Sequence, residues 1–209
     1  MRFLIADDHE VVRKGVKQIL AEGFPQATFG EAGSTAELMV RARRRKWDLV
    51  LLDISMPGRS GLEALVELKR QYPRLPVLVL SMYSEREYAL RVLKAGAAGY
   101  LNKQSLGREL LEAVQKVLPG GRYITPALAE RLADNLEGSV DGLQHEQLSD
   151  REFEVMKLIA TGRSVKEIAL ELSLGEKTVF TYRTRLLQKL ALNSDVEVAR
   201  YALRHRLVD

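Results

Sequence analysis

The chain has 209 residues, which is long for one small domain and comfortable for two, and 46% of them are hydrophobic, enough to fill ordinary cores. Its formal net charge of +4 is a mild basic excess, which permits a nucleic-acid partner but does not by itself indicate one. The sequence has no cysteine, no recognisable signal peptide and no apolar run of membrane-spanning length, so we exclude disulfides and thiolate metal sites and expect a cytoplasmic protein without a membrane partner.

Short apolar strands alternate with amphipathic helices in the first half of the chain. Residues 49–52 are apolar without alternation, as in a strand buried on both faces of a parallel sheet. Further strands are predicted at residues 2–6, 27–31, 77–80 and 98–101. Helices are predicted over residues 10–20, from a capping pattern at Ser34, and over residues 62–71, 84–95 and 106–118. This alternation predicts an α/β fold, a doubly wound five-stranded parallel sheet covered by helices on both faces.

Polar side chains follow four of these strands at the point where each strand ends. They are Asp7, Asp8, Asp53, Ser81 and Lys103. Because right-handed crossovers bring the carboxyl ends of parallel strands to one edge, we expect these side chains to converge there. Carboxylates suit Mg²⁺, and a lysine and a hydroxyl suit phosphoryl oxygens, so the set predicts phosphoryl transfer onto an aspartate. The alternative, polar groups that merely solvate loop ends, is disfavoured because four different strands contribute.

The residues of this edge resemble the receiver domain of two-component response regulators over about residues 1–120. The matching segments are Asp7-Asp8, Asp53 with Met56-Pro57-Gly58 and Gly61, Ser81, and Ala97-Ala-Gly-Tyr100-Leu-x-Lys103. The resemblance implies a flavodoxin-like fold in which Asp53 accepts a phosphoryl group from a sensor histidine kinase. It further implies that Lys103 pairs with that group and that Ser81 and Tyr100 form a switch pair. The implied Mg²⁺ ligands are Asp7, Asp8, Asp53 and the backbone carbonyl of Ser55. Asn102 departs from the apolar or small residue that is usual there.

The pattern loosens after residue 120. Residues 127–136 predict a short helix, and residues 137–147 are polar and acidic enough for a flexible linker. We therefore expect a first domain over residues 1–120, a linker with a short helix over 121–147, and a second domain over 148–209. The second domain is predicted to be all-α, with four helices near residues 149–161, 165–172, 176–190 and 194–206. The turn at residues 173–175 has the length that separates the helices of a helix-turn-helix.

The predicted helix over residues 176–190 has one apolar stripe and one basic, polar face. The stripe is Val179, Leu186, Leu187 and Leu190, and the opposite face carries Lys177, Phe180, Thr181, Thr184, Arg185 and Gln188. Arginine and glutamine offer paired groups to base edges, threonine bonds either base, and Phe180 can rest on a thymine methyl. Arg183 and Lys189 flank this face, where phosphates are met. On charge and spacing alone, an ordinary solvated helix face is an equal alternative.

The second half is similar to the LuxR-type helix-turn-helix, so the whole chain resembles the NarL/FixJ class of response regulators. The resemblance is carried by Leu148-Ser-x-Arg-Glu152, Gly162-x-Ser164-x-Lys166-Glu-Ile168-Ala169, Lys177-Thr-Val179 and Lys189-Leu190. It implies a regulator that is switched by phosphorylation and binds double-stranded promoter DNA. It also implies a homodimer, at least when the protein is bound to DNA. The family's base-contact positions fall on Phe180, Thr181 and Thr184. Together with the helix-face chemistry, the predicted DNA-binding residues are Lys177, Thr178, Phe180, Thr181, Arg183, Thr184, Arg185, Gln188 and Lys189. Phe180, Tyr182 and Gly175 depart from the usual basic residue, histidine and serine.

The resemblance also implies that the last helix forms the two-fold contact, at Val198 and Tyr201. For each of these two residues, packing in the small domain's own core is an equal alternative.

Three other functions were weighed against this interpretation. A Mg²⁺-dependent phosphohydrolase with a diffusible substrate is disfavoured, because the sequence offers no acid near Asp53 to protonate a leaving group and no cap domain; we expect no enzyme of that kind. A DNA-binding protein whose receiver is only a dimer scaffold predicts an incomplete acidic site, and this one is complete. A protein-binding second domain is weakened by the basic face of its third helix.

Overall fold

The structure is a computed structural model that describes residues 1–56, 60–83, 85–130, 144–205 and 207–208. The chain divides into two compact units, Met1–Glu137 and Gly138–Asp209. The predicted turn at Pro57-Gly58, the predicted cap at Ser84 and residues 131–143 of the predicted linker lie outside the described residues. The domain boundaries at 120 and 147 stay predictions. Among the described helices, none has the length and apolar character needed to cross a membrane.

The first unit is built on a five-stranded parallel sheet. The strands are β1 (Arg2–Ala6), β2 (Thr28–Ala32), β3 (Leu49–Asp53), β4 (Val77–Ser81) and β5 (Gly99–Asn102). Their order across the sheet is β2-β1-β3-β4-β5, and each neighbouring pair is parallel. Every residue of β3 and β4 is buried, as unbroken apolar runs require of central strands. The predicted fold class is therefore confirmed.

Helices cover both faces of this sheet. They are α1 (Glu10–Gly23), α2 (Thr35–Arg44), α3 (Gly61–Gln71), α4 (Glu85–Lys94) and α5 (Leu106–Val117), with a 3-10 helix η1 (Lys103–Ser105) before α5. Alternate strand residues such as Phe3 and Leu51 form one buried cluster with Val16 of α1 and Leu110 of α5. Helices α2 and α3 pack against each other, and α4 contacts β5.

The segment after α5 returns to the edge of the sheet. Tyr123 donates its backbone N–H to the carbonyl of Ala98 at 2.8 Å and forms a parallel bridge with Gly99. A side chain at Gly99 would fall against the Tyr123 backbone, so the close approach requires glycine there. Thr125 Oγ1 then donates to Glu85 at 2.6 Å, and a helix α6 begins at residue 126 and is described to residue 130. This segment is therefore tied both to β5 and to α4.

The second unit is helical, as predicted. Its elements are a 3-10 helix η2 (Gln144–Gln147), α7 (Asp150–Ala160), α8 (Val165–Glu171), α9 (Glu176–Leu190) and α10 (Asp195–Arg204). Capping boxes start α7 at Ser149 and α8 at Ser164. Between α8 and α9, Ser173 takes a left-handed conformation with φ of 53° and turns the chain. The 3-10 helix lies in the range predicted as linker, yet His145 is buried and bonds Tyr201 of α10 through Nδ1 at 3.0 Å.

Candidate functional site

The five polar residues at the strand ends lie at one edge of the sheet. Asp7 follows β1, Asp53 and Ser81 end β3 and β4, and Lys103 follows β5. Register explains the convergence, because Asp53 pairs with Leu80 of β4, and Ser81 with Asn102, the residue before the lysine. Lys103 Nζ lies 2.7 Å from a carboxylate oxygen of Asp7 and 2.7 Å from one of Asp53. One ammonium thus joins two carboxylates from two neighbouring strands.

Backbone amides hold the other oxygen of each carboxylate. Asp7 Oδ1 accepts from the N–H of His9 at 2.8 Å, and Asp53 Oδ1 accepts from the N–H of Ser55 at 2.9 Å. Both aspartates are fully buried, and the Lys103 side chain is only 8% exposed. The local turns therefore fix both carboxylates, so that their remaining interactions are set by Lys103 and by whatever else enters the site.

Burial controls the electrostatics of the site. It raises the pKa of Asp53, and the charge of Asp7 adds to this, while Lys103 and the Ser55 amide oppose it. Burial also acts to lower the pKa of Lys103, but its pairs with Asp53 and Asp7 outweigh burial and leave that pKa raised. Three carboxylates, Asp7, Asp8 and Asp53, cluster here, whereas Lys103 contacts only Asp7 and Asp53, and Asp8 contacts His9. The site favours an added cation.

The donor set fits Mg²⁺. Ligand atoms of Asp7, Asp8, His9 and Asp53 all lie within 4.8 Å of one another. Asp7 Oδ2 and Asp8 Oδ1 are buried without a well-aligned hydrogen bond to the described residues, although each has an ion-pair contact, with Lys103 and His9 respectively. Carboxylate oxygens with spare lone pairs are what a small, hard cation prefers.

The predicted switch residues meet at the backbone of Tyr83. Ser81 Oγ accepts from the Tyr83 N–H at 3.1 Å, and the Tyr83 carbonyl accepts from the Tyr100 hydroxyl at 2.7 Å. Asn102, which the sequence left without an explanation, donates to the same carbonyl at 3.1 Å and caps η1 through Oδ1. The Tyr100 ring is buried. The backbone of Tyr83 therefore contacts both members of the predicted switch pair, Ser81 at the end of β4 and the side chain of Tyr100.

Two residues of this edge were not among the predicted site residues. His9 Nδ1 lies 2.8 Å from Asp8 Oδ1, and Arg13 donates from Nη1 to the backbone carbonyl of Asp7 at 2.8 Å. The signal for His9 was its position directly after the two aspartates. Arg13 lies one helical turn into α1, and nothing in its sequence context distinguishes it from a solvated arginine.

Helix α9 presents the predicted basic and polar face to solvent. Val179, Leu186 and Leu190 are buried, whereas Phe180 is 58% exposed. The other exposed members of the predicted set are Lys177, Thr178, Thr181, Thr184, Arg185, Gln188 and Lys189. Thr181 and Thr184 donate their hydroxyls to the carbonyls of Lys177 and Phe180, which leaves their oxygens free to accept from a base. Donors, acceptors and one apolar ring thus share one face.

Two of the predicted DNA-binding residues are engaged inside the second unit. Lys189 Nζ lies 2.6 Å from Glu152 Oε2, a carboxylate that is only 3% exposed and that also closes the Ser149 capping box. Arg183 Nε lies 2.8 Å from Asp195 at the start of α10. Lys189 therefore has a structural role in joining α9 to α7, which the sequence pattern did not predict.

Burial favours core packing of Val198 over the predicted dimer contact. The Val198 side chain is fully buried in the core of the second unit, and its role in a dimer stays a prediction. Tyr201 is half-buried, and its hydroxyl accepts from the N–H of His145 at 3.2 Å. The exposed apolar residues of α10 are instead Val196 and Leu203, at 68% and 55%. Periodicity alone did not distinguish these two faces of α10.

Comparison with known proteins assigns both halves of the chain. Residues 3–115 match the response regulator receiver domain family, and residues 146–202 match the luxR family of bacterial regulatory proteins. The chain is 39% identical over 210 residues to the response regulator GacA of Pseudomonas viridiflava, covering 100% of this chain and 98% of that protein. It is 37% identical over 205 residues to the response regulator UvrY of Escherichia coli K12, covering 98% of this chain and 94% of that protein.

Solved structures give the same assignment. The RcsB response regulator of Salmonella enterica serovar Typhimurium, bound to promoter rprA in the presence of the phosphomimetic BeF3-, aligns with a TM-score of 0.63 and 26% identity, over 96% of this chain and 97% of that one. A second RcsB–DNA complex aligns with a TM-score of 0.59 and 26% identity, over 97% of this chain and 98% of the other. With a receiver domain followed by a LuxR-type helix-turn-helix, the chain belongs to the two-component response regulators of the NarL/FixJ class.

Proposed function

We propose that the chain is a phosphorylation-switched transcriptional regulator, in which Asp53 accepts a phosphoryl group from a sensor histidine kinase and α9 binds promoter DNA. One observation carries the proposal: Lys103 lies 2.7 Å from both Asp7 and Asp53 at the carboxyl edge of the sheet. A lysine that joins two buried carboxylates is placed to contact a phosphoryl oxygen once that group is attached to Asp53.

The transfer forms one bond and breaks one. A carboxylate oxygen of Asp53 attacks phosphorus, the phosphorus–nitrogen bond of a phosphohistidine breaks, and the leaving imidazole nitrogen keeps the electron pair and takes a proton from solvent. Lys103 offers its ammonium to the oxygens of the transferred group, and the Ser81 hydroxyl offers one hydrogen bond. Because Asp53 is fully buried, its carboxylate has to become accessible before a phosphoryl donor can reach it.

Mg²⁺ would be held by Asp7, Asp8, Asp53 and the backbone carbonyl of Ser55. When bound, it neutralises charge on the phosphoryl oxygens. The excess of carboxylates over Lys103 in this cluster supports this assignment. Lys103, which also pairs with Asp7, meanwhile holds the Asp53 carboxylate in place.

Hydrogen bonds connect the proposed phosphorylation site to the residues near the start of α4. If the Ser81 hydroxyl turns to the phosphoryl group, it gives up the bond that it accepts from Tyr83, whose carbonyl holds Tyr100 and Asn102. Tyr83 lies two residues before Glu85, the first residue of α4, which accepts a hydrogen bond from Thr125. A shift of this segment would therefore reach the residues that lead out of the receiver. A phosphoryl group brings enough charge to bias such an equilibrium by a few kcal/mol.

The exposed face of α9 supports major-groove binding. Phe180 supplies an apolar contact for a thymine methyl, Arg185 and Gln188 supply paired groups for base edges, and Lys177 supplies a phosphate contact. The solved RcsB structures, complexes of that related protein with DNA, favour the same use of this domain. Homodimers of this chain on DNA are part of the proposal, and Val196 and Leu203 of α10 are the apolar residues available for the two-fold contact.

The proposal is tested by DNA binding in two states. Promoter fragments upstream of the chain's own gene and of candidate targets are titrated with wild type and with Asp53→Asn, each before and after treatment with acetyl phosphate and Mg²⁺. We expect treatment to raise the affinity of wild type by roughly fivefold or more and to leave the variant unchanged. Equal changes in both proteins would contradict a switch at Asp53, and loss of binding in Lys177→Ala/Arg185→Ala is expected in both states.

A further inference from the structure

A cavity of about 840 Å³ opens on the first unit at the amino edge of the sheet, which is the edge opposite Asp53. Its walls come from the start of β1, the loop between α2 and β3, the loop between α3 and β4, and the end of α5. The proposed phosphoryl transfer uses none of its residues. Its size is within the range of small-molecule sites in proteins.

The cavity is strongly cationic. Four arginines and one lysine line it: Arg2, Arg43, Arg45, Lys46 and Arg74. The one acidic residue in the wall, Asp48, already accepts a hydrogen bond from the backbone N–H of Arg2 at 2.7 Å. None of the five cations forms an ion pair with a carboxylate in the described part of the chain. The positive charge is therefore not neutralised by neighbouring side chains.

Helix ends explain only part of this charge. The C-terminal cap residues of α2, α3 and α5 (Arg45, Tyr72 and Leu118) all line the cavity. Each helix end carries roughly half a negative charge, so three ends offset about one and a half positive charges. The five cationic side chains and the one carboxylate together carry four net positive charges, which is more than the three helix ends offset. The surplus of more than two positive charges suits a polyanionic ligand.

The rest of the wall is apolar and partly aromatic. Trp47 contributes only an edge, since it is 8% exposed and the Arg45 guanidinium lies 4.9 Å from its ring centre, while Tyr72 is half-buried. Leu75 and Leu118 contribute aliphatic surface. A solvated basic patch needs no such surface, whereas a flat aromatic ligand is stabilised by it.

We propose that this cavity binds a nucleotide, with its phosphates on the arginines and its base against the apolar wall. Arginine is suited to phosphate because its planar fork of donors matches two phosphate oxygens. The phosphates of a nucleotide fit the charge surplus, and its base fits the aromatic and aliphatic surface. A DNA backbone is a weaker candidate, since a concave wall with buried apolar surface gives a duplex little to contact.

Trp47 makes the proposal measurable in the full chain, because it is the only tryptophan and it lines the cavity. Its fluorescence is followed while AMP, ADP, ATP, inorganic pyrophosphate or duplex DNA of arbitrary sequence is added, and calorimetry gives the stoichiometry. We expect one nucleotide per chain with a Kd of about 100 µM or below, and binding of pyrophosphate weaker by roughly tenfold or more.

A matched pair of double variants tests the site. Arg43→Ala/Arg74→Ala removes two cavity cations from different elements, whereas Arg41→Ala/Arg44→Ala removes two exposed arginines of the same helix that do not line the cavity. We expect the first to weaken nucleotide binding by roughly tenfold and the second by less than about twofold. Absence of nucleotide binding near 1 mM (about −4 kcal/mol) would overturn the proposal. Pyrophosphate that binds as tightly as ADP would also overturn it. Equal losses of affinity in both double variants, with competition from any DNA, would overturn it as well and would indicate a non-specific surface for polyanions.

Discussion

Replacement of Lys103 by methionine tests the electrostatic arrangement at the proposed phosphoacceptor. Methionine keeps most of the side-chain length but removes the ammonium that lies 2.7 Å from both Asp7 and Asp53. Both carboxylates are fully buried, so water cannot replace the lost partner at once. Removing one member of a buried ion pair costs about 3–5 kcal/mol, because an uncompensated buried charge remains.

Unfolding in urea measures this cost in the full chain, because the single tryptophan, Trp47, is buried in the receiver and reports the unfolding of that unit alone. With a slope near 2 kcal/mol/M, a loss of 3–5 kcal/mol lowers the urea midpoint by about 1.5–2.5 M. The second change Asp53→Asn in the Lys103→Met background is expected to recover part of the loss, since it removes one of the two uncompensated carboxylates.

A surface ion pair of equal length supplies the control. Lys14 and Glu10 are also 2.7 Å apart, but their side chains are 71% and 64% exposed. Lys14→Met is expected to leave the midpoint unchanged, because water screens this pair in the folded protein and replaces it after mutation. Similar midpoints for Lys103→Met and Lys14→Met would refute the reasoning, since burial would then not determine the strength of the Lys103 contacts.

Four further outcomes follow from the geometry. Mg²⁺ at one hundred times its Kd should stabilise wild type by about 2.7 kcal/mol and so raise its urea midpoint. The increase should be much smaller for Asp8→Asn; an equal increase in that variant would exclude Asp8 from the cation site. Lys189→Met should lower the stability of the second unit by about 1–2 kcal/mol, or its Tm by roughly 5–10 °C, because Glu152 loses its cation; weaker DNA binding at unchanged Tm would make Lys189 a phosphate contact instead. Gly61→Ala should cost about 1–3 kcal/mol, since a Cβ would fall against the backbone of Asp53 and Ile54, whereas Gly107→Ala, with open space around it, should be neutral or stabilising. Phe180→Ala should change the base selected from a random DNA pool at one position per half-site without lowering Tm, because its ring is exposed; an unchanged selection would remove Phe180 from base recognition.

The sequence predicted the edge of the receiver well because a parallel sheet imposes strong geometry. Once strands are recognised from apolar runs, the residues that follow Ala6, Leu52, Leu80 and Asn102 must meet at one edge, whatever the loops do. The resemblance to receiver domains then supplied the roles. The inner stripe of α9 was predicted for a similar reason, since helical period and the turn at Ser173 leave one face for the core.

Contacts between distant residues escaped the sequence. Glu152 and Lys189 are 37 residues apart, and no local pattern shows that a capping carboxylate of α7 meets the end of α9. The sequence left open whether Val198 is buried, because both faces of α10 carry apolar residues and the helical period does not fix which face packs on the core. The role of Asn102 follows only from the structure, in which its side chain donates a hydrogen bond to the Tyr83 carbonyl.

Asp53 is the proposed phosphoacceptor, and intact mass spectrometry tests this assignment directly. Wild type and Asp53→Asn are incubated with acetyl phosphate and Mg²⁺, and then with a partner histidine kinase and ATP. We expect wild type to gain the mass of one phosphoryl group and the variant to gain none. No gain by wild type under either condition would contradict the phosphoswitch and favour a receiver that serves only as a dimer scaffold, and equal gain by both proteins would show that a different residue is the acceptor.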